Sequence, residues 1–197
     1  MSIPQLNDYR IILASQSPRR KNLLSGIDIK FEIIVRKDIN EEFPSDLGMI
    51  EIPEFLARSK SEHYLDLLET DTILITADTI VWHNEKVVGK PTDSDDAIRI
   101  LKTLSGDKHI VVTGVCIRTA NIVRIFHAVS EVYFRKLTDD EILYYVSNYK
   151  PFDKAGAYGI QEWIGFVGIE KIEGSFYNVM GLPVQQVYKE LQQIIHP

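Results

Sequence analysis

An α/β fold, with helices flanking a mixed, twisted sheet, is predicted by three observations. Short β-branched runs such as TILITA alternate with helical periodicities, the alternation that builds a helix-covered sheet. Two long strand-like runs, 108–118 and 122–135, are joined near Ala120-Asn121 and call for an antiparallel hairpin in that sheet. A chain of 197 residues with 45% hydrophobic content is long enough for a sizeable core, and its length favours one domain over 1–197.

The elements follow in order. Ile11 to Ala14 is an apolar run that reads as the first strand. Ser17 is placed to cap a helix that starts at Pro18, reaches Ser25 and stops at Gly26. FEIIV, 31–35, reads as a second strand, and KDINEEFPSD after it as an acidic loop. From Glu54 to Glu69 the positions Phe55, Leu56, Tyr64, Leu65 and Leu68 suit an amphipathic helix. TILITA, 72–77, reads as a buried strand that continues through Asp78 and Thr79 into IVW, with a turn at Asn84-Glu85. Asp93 or Ser94 caps a helix to Leu104, ended by Ser105-Gly106, and the hairpin comes next. Thr138 with Glu141 is a capping box for a helix to about Asn148. Beyond Pro151 the chain is rich in glycine through Gly181, with a strand-like FVGIEKI inside it, and an amphipathic helix runs from about Pro183 to Ile195.

Composition excludes several classes. A formal charge of -6 argues against nucleic acid as a partner, since a basic face is needed to displace counterions. If phosphate is the ligand, local charge must hold it. The single cysteine, Cys116 in HIVVTGVCI, has no internal partner; it reads as buried packing and favours a reducing compartment. No stretch approaches the length needed to cross a bilayer, and MSIPQLNDYR lacks the blocks of a signal peptide, so the expectation is a soluble cytoplasmic protein without a membrane partner.

Several stretches have the residue types for chemistry. In LASQSPRR, 13–20, a strand runs into a helix N-terminus whose unpaired N–H groups favour an anion, and Arg19 and Arg20 strengthen that site. Successive helical residues point about 100° apart, so one arginine is free to reach phosphate while the other braces the turn. The alternative is a capped helix with solvated arginines. GKP at 89–91 fails the P-loop pattern, because Asn84 and Pro91 stand where Gly and Ser or Thr belong; Lys90 reads as one ammonium presented from a loop. Asp78 in TADT ends an apolar strand, a costly place for a charge unless it binds metal, pairs or moves protons. Ile80 replaces the second aspartate of an aspartyl phosphatase, so base or metal ligand fits better than nucleophile. The run around Asp38, Glu41 and Glu42 offers carboxylates to a hard cation, or is a solvated loop. Lys60 lies on a helix in LARSKSEH. AGAYGIQ and EGSFYNVMGLP combine glycines with a tyrosine face and the donor and acceptor of Gln161, groups suited to reading a nucleobase, or form a structural turn. Histidines 63, 83, 109, 127 and 196 lack metal-ligand spacing, and His109 reads as structural.

Together, ILASQSPRR, LARSK, ITADTIV, GKP, SGDKHIVVTGV, DKAGAYGIQ and GSFYNVMGLP resemble the Maf family of nucleoside triphosphate pyrophosphatases, in order and over nearly the whole chain. The resemblance implies an inosine triphosphatase-like α/β fold, an elongated molecule with a central cleft, and a homodimer. It matches Asp78 to a general base that activates water against the α-phosphorus, and Ser15, Arg19, Lys60 and Lys90 to phosphate-handling positions. Glu41 and Asp78 match carboxylates for magnesium, with manganese as the alternative. Arg19, Thr79 and Gln161 stand where subfamilies differ; SPR, ADT and YGIQ look like the branch acting on dTTP and UTP rather than on 7-methyl-GTP. Three departures stand out: Asn40 where an acid is usual, Ser61 where alanine is usual, and Glu162-Trp163 where a small residue follows Gln161, which would narrow the base pocket. The implied role is conversion of dTTP or UTP to the monophosphate and pyrophosphate, guarding the pool against modified pyrimidines. The alternatives are a nucleotide-binding regulator linked to cell division, or the same reaction on another base.

Overall fold

The computed structural model describes residues 4–37 and 39–196. Its strands are β1 (Arg10–Leu13), β2 (Glu32–Ile33), β3 (Thr72–His83), β4 (Lys86–Val88), β5 (Lys108–Arg118), β6 (Val123–Phe134) and β7 (Ile169–Glu173). They run in the order β2-β1-β3-β5-β6-β7, with β4 paired to β3, and helices flank this mixed sheet. The chain forms two compact units. One comprises residues 1–78, 113–128 and 181–197, the other 79–112 and 129–180.

The first unit begins with β1 (Arg10–Leu13), followed by α1 (Pro18–Ser25) and β2 (Glu32–Ile33). β1 pairs in parallel with β2 and with the first part of β3 (Thr72–His83), in the register Ile11 to Ile73 and Ile12 to Leu74. Ile12, Leu13, Ile73, Leu74 and Ile75 have no exposed surface, as expected of parallel strands covered on both faces. α1 starts where its local chemistry dictates: Ser17 Oγ accepts from the Arg20 N–H, and Pro18 stands at the first position, where a missing N–H costs nothing. Gly26 ends it with an ordinary helical φ of −68°, while Asp28 takes the left-handed conformation.

Two expectations in this unit need correction. Of FEIIV only Glu32–Ile33 pairs, leaving a very short edge strand with Ile33 exposed, a form that limits pairing with other chains. The helix expected over 54–69 is α2, Glu51–Glu62, followed by a 3-10 turn at Leu65–Leu67. Its buried stripe is Ile52, Leu56, Ala57 and Ser61, so Phe55 and Leu65 face outward. Pro53 fits because it lies in the first turn, where N–H groups have no intrahelical acceptor. The unit closes with the later part of β5 (Lys108–Arg118), the earlier part of β6 (Val123–Phe134) and α7 (Val184–Ile195), which buries Val184, Val187, Leu191 and Ile194.

The second unit takes up β3 beyond Asp78. A two-residue turn at Asn84-Glu85, both with positive φ, leads into β4 (Lys86–Val88), the geometry that suits strand twist. α3 (Ser94–Leu104) is capped by Asp93, whose Oδ1 accepts from the Asp96 N–H at 2.8 Å. Its Ala97, Ile100, Leu101 and Leu104 pack with Phe134, Ile142, Tyr145 and Tyr158 into the core of this unit. α4 (Asp139–Tyr149) has the full capping box between Thr138 and Glu141. The strand expected in FVGIEKI starts late: Trp163–Gly168 is a short helix, α5, and only Ile169–Glu173 is strand, β7, paired antiparallel with β6. A Cβ on Gly165 would stand 1.8 Å from the Ile160 carbonyl oxygen, so this glycine serves close packing and does not mark a break in the helix. EGSFYNVMG, expected to be irregular, contains α6 (Phe176–Met180), anchored by Asn178 Nδ2 donating to Val111 O and Ser130 Oγ.

Candidate active site

Lys60 is the centre of the first unit's polar chemistry. Its Nζ is 2.5 Å from Asp78 Oδ1 and 2.7 Å from Glu41 Oε1. The Lys60 and Asp78 side chains are each 13% exposed, whereas Glu41 is open to solvent. Asp78 ends the buried part of β3 on the first unit's side, and Lys60 lies in the last turn of α2, so the height of α2 on the sheet decides whether they meet.

That height is set by three contacts. A Cβ on Gly114 of β5 would lie 2.3 Å from the carbonyl of Pro53, so the helix backbone rests directly on the strand. Thr76 Oγ1 donates to the Ala57 carbonyl at 2.6 Å. Ser61 Oγ donates to Arg58 O at 2.6 Å and receives Cys116 Sγ at 3.5 Å, which satisfies the buried hydroxyl at a position where alanine was the usual residue. Cys116 is buried, as its apolar run suggested.

LASQSPRR supplies the second group of polar side chains in this unit. Ser15 Oγ accepts from the Ser17 N–H at 3.2 Å and lies 3.5 Å from Arg20 Nη1. Arg20 Nε donates to the Gly181 carbonyl at 2.8 Å, so Arg20 is the bracing arginine of the pair. Desolvation lowers its pKa from the ordinary arginine value, against the pull of Asp78 and Glu41, and Arg19 lowers it further; these charges share one electrostatic neighbourhood. Asn40, where an acid was usual, closes a turn with Glu42: Glu42 N–H donates to Asn40 Oδ1 at 3.0 Å. Asp38 lies outside the described residues.

Among the described residues no three His, Cys, Asp or Glu side chains gather as a closed metal cage. Two carboxylates that converge on one ammonium do fit magnesium, which commonly takes one or two protein carboxylates and completes its shell with water and substrate phosphate. Asp78 and Glu41 would be the residues to hold it.

Thr79, Lys90 and Gln161 belong to the second unit. Thr79 is half-buried, and Lys90 is exposed on the loop after β4. That loop is tied to the AGAYGIQ stretch by the Gly156 N–H, which donates to Gly89 O at 3.1 Å. Gly156 is required there, with φ of 72° and Val81 Cγ2 only 2.9 Å from where a Cβ would be. Gln161 Oε1 is buried without a hydrogen-bond partner among the described residues. Tyr158 is not available to face a base: it is a core residue whose hydroxyl meets His109 Nε2 at 2.7 Å. His109 is structural, buried among aromatic rings, with its pKa pushed down to about 3 by burial.

Sequence reasoning gave no role to Tyr145 and Lys154. Both engage Glu162: the Tyr145 hydroxyl donates to Glu162 Oε2, and Lys154 Nζ lies 3.1 Å from Glu162 Oε1. Lys154 sits inside the quoted DKAGAYGIQ motif, but Glu162 lies just beyond its end.

The mixed sheet with flanking helices makes this an α/β protein, and its first unit carries a lysine set between two carboxylates. The family model "Maf-like protein" matches residues 10–194, and the chain belongs to the Maf family. A dTTP/UTP pyrophosphatase of Parabacteroides distasonis is 54% identical over 190 residues, covering 96% of this chain and 98% of its own. A dTTP/UTP pyrophosphatase of Bacteroides fragilis is 50% identical over 192 residues, covering 98% and 100%. The fold is shared with a HAM1 protein from Coxiella burnetii, at 16% identity and a TM-score of 0.51, covering 94% of this chain and 99% of that one.

Proposed function

We propose that this protein hydrolyses dTTP and UTP to the nucleoside monophosphate and pyrophosphate. The observation that carries the reading is Lys60 seated between Asp78 and Glu41, in a family whose relatives at about 50% identity are dTTP/UTP pyrophosphatases.

In this reading Asp78 accepts the proton of the attacking water at its carboxylate, beside the Lys60 ammonium. Lys60, Arg19 and Lys90 meet the phosphate charge that shifts onto departing pyrophosphate, while Ser15 and the N-terminus of α1 orient the chain of phosphates. Arg20 acts by holding that turn in place. Gln161 and Thr79 read the nucleoside. Magnesium, or manganese, held by Glu41 and Asp78 would neutralise phosphate oxygens when bound. The protein works in the cytoplasm as a homodimer, a reading that rests on the family resemblance. Its net charge of -6 is the ground for proposing an action free of nucleic acid.

The test is pyrophosphate release from dTTP, UTP, CTP and 7-methyl-GTP, with and without magnesium, by the native protein and by Asp78→Asn. The variant is expected to lose about 10²- to 10⁴-fold in turnover while still binding nucleotide. Full activity in Asp78→Asn removes this residue from the chemistry; binding without turnover in the native protein favours a regulator.

A further inference from the structure

The segment that leaves β2 carries Glu41 to Lys60. The Glu41 side chain is half exposed, and an ion pair with one partner so open contributes too little to hold a loop against its conformational entropy. Other contacts of this segment therefore decide where the carboxylate stands, and they converge on the end of α2. The Arg36 N–H donates to the Tyr64 hydroxyl at 2.9 Å, and the Arg36 guanidinium lies 5.2 Å from the centre of the Tyr64 ring. The same guanidinium donates to the His63 carbonyl and, at 2.6 Å, to Asp66 Oδ2. That last bond holds the Asp66 carboxyl below the usual carboxylate range, so the pair stays charged near neutral pH.

Tyr64 is a firm anchor. It is only 2% exposed, in a cluster with Ile12 of β1 and Leu74 of β3, against which Ile34 and Ile39 also pack. The segment thus rests on this cluster on both sides of Arg36, while Val35 and Lys37 are exposed. Tyr64 follows Lys60 by four positions and Glu41 follows Arg36 by five, so Arg36 to Tyr64 and Lys60 to Glu41 are two rungs between the same two stretches of chain. One rung is fastened to the core, and the other is open to water.

We infer that Arg36, clamped on His63, Tyr64 and Asp66, is a positioning residue that delivers the Glu41 carboxylate to Lys60 and so completes the carboxylate pair that would receive a divalent cation. This rests on the proposed use of magnesium or manganese held by Glu41 and Asp78. A basic residue near a nucleotide site is readily taken for a phosphate ligand, but the Arg36 guanidinium is engaged by protein groups and acts through Glu41.

The experiment measures binding of Mn2+ alone by electron paramagnetic resonance in the native protein, Arg36→Met, Tyr64→Phe, Glu41→Gln and the double variant Arg36→Met with Glu41→Gln, each checked by thermal melting. Arg36→Met is expected to raise the Mn2+ dissociation constant about tenfold, the lower end of the usual loss when a group that orients a metal ligand is removed. The magnesium concentration for half-maximal pyrophosphate release from UTP is expected to rise in step, with kcat at saturating magnesium nearly unchanged. Tyr64→Phe keeps the ring and loses only the acceptor for the Arg36 N–H, and is expected to shift the affinity less and in the same direction. In the Glu41→Gln background Arg36→Met is expected to add nothing, as a residue acting through Glu41 requires. Unchanged Mn2+ affinity in folded Arg36→Met, or its full effect repeated in the Glu41→Gln background, overturns the inference; if Arg36→Met does not fold, unchanged affinity in Tyr64→Phe does so. A native protein that binds no Mn2+ overturns it as well. A native protein that binds Mn2+ but releases no pyrophosphate from dTTP or UTP refutes the proposed activity, while the positioning role is still judged by the Mn2+ affinities of the variants.

Discussion

Two arginines are adjacent in one helical turn, and Arg20 is the one that braces it. Arg20 donates to a main-chain carbonyl across 161 positions of sequence, in partly desolvated surroundings. A hydrogen bond from a charged donor is worth about 1.5–3 kcal/mol, so Arg20→Met is expected to lower the unfolding free energy by about that much. Arg19→Met is expected to raise the KM for UTP. Urea unfolding of Arg20→Met and steady-state kinetics of Arg19→Met check these expectations; an unchanged urea midpoint in the first or an unchanged KM in the second would contradict them. Asp78 and Lys60 are coupled more closely, because removing either leaves the other's charge nearly buried without its nearest partner.

At the scale of elements, α2 depends on a glycine in the strand beneath it. Gly114→Ala would push a methyl into the Pro53 carbonyl, and overpacking of this kind typically costs about 1–3 kcal/mol. Because the helix must rise to admit the methyl, Lys60 moves relative to Asp78, and kcat is expected to fall in a protein that still folds. A drop in melting temperature with unchanged kcat would show that Lys60 does not depend on this contact. The same element marks the limit of what sequence shows. Ser17-Pro18, Asn84-Glu85 and Thr138 with Glu141 are legible because a side chain satisfies backbone groups within three or four residues of itself. The span of α2 was misjudged because apolar Phe55 and Leu65, both outward-facing, mimic the core stripe better than Ser61, which is buried by virtue of its hydrogen bonds. α5 was hidden because glycines at 165 and 168 look like breaks but serve close packing against Ile160 and Leu137. Asp78 and Lys60 were recognisable as candidates, but their 2.5 Å contact depends on helix height, which no local pattern encodes.

For the molecule as a whole, acid is the weak side. His109 is neutral in the fold, its pKa moved from 6.5 to about 3, so the unfolded chain binds a proton that the folded chain refuses. Its contribution is fully present above pH 6.5 and is lost as the pH falls toward about 3, at a slope of about 1.4 kcal/mol per pH unit. Glu141 has its pKa pushed down to about 2 by Arg135 and the Thr138 N–H, and loses its contribution below the ordinary 4.5. Between pH 6.5 and 4.5 the histidine therefore acts before that carboxylate. His109→Phe is expected to be less stable at pH 7, where the Tyr158 hydroxyl loses its partner, yet to show a flatter decline toward pH 5 in urea midpoints. Parallel declines in the two proteins would assign the acid sensitivity elsewhere. β3, β5 and β6 each pass from one unit into the other, so neither unit is a continuous piece of chain. The brace from Arg20 to Gly181 shows what that means during synthesis. The ribosome delivers Ser15 to Arg20 first and their anchoring carbonyl among the last, so a prematurely terminated product owns the basic octapeptide without the means to hold it. A chain that stops short of Gly181 lacks that carbonyl, and its first phosphate-facing turn is left without the hold that closes it in the finished protein.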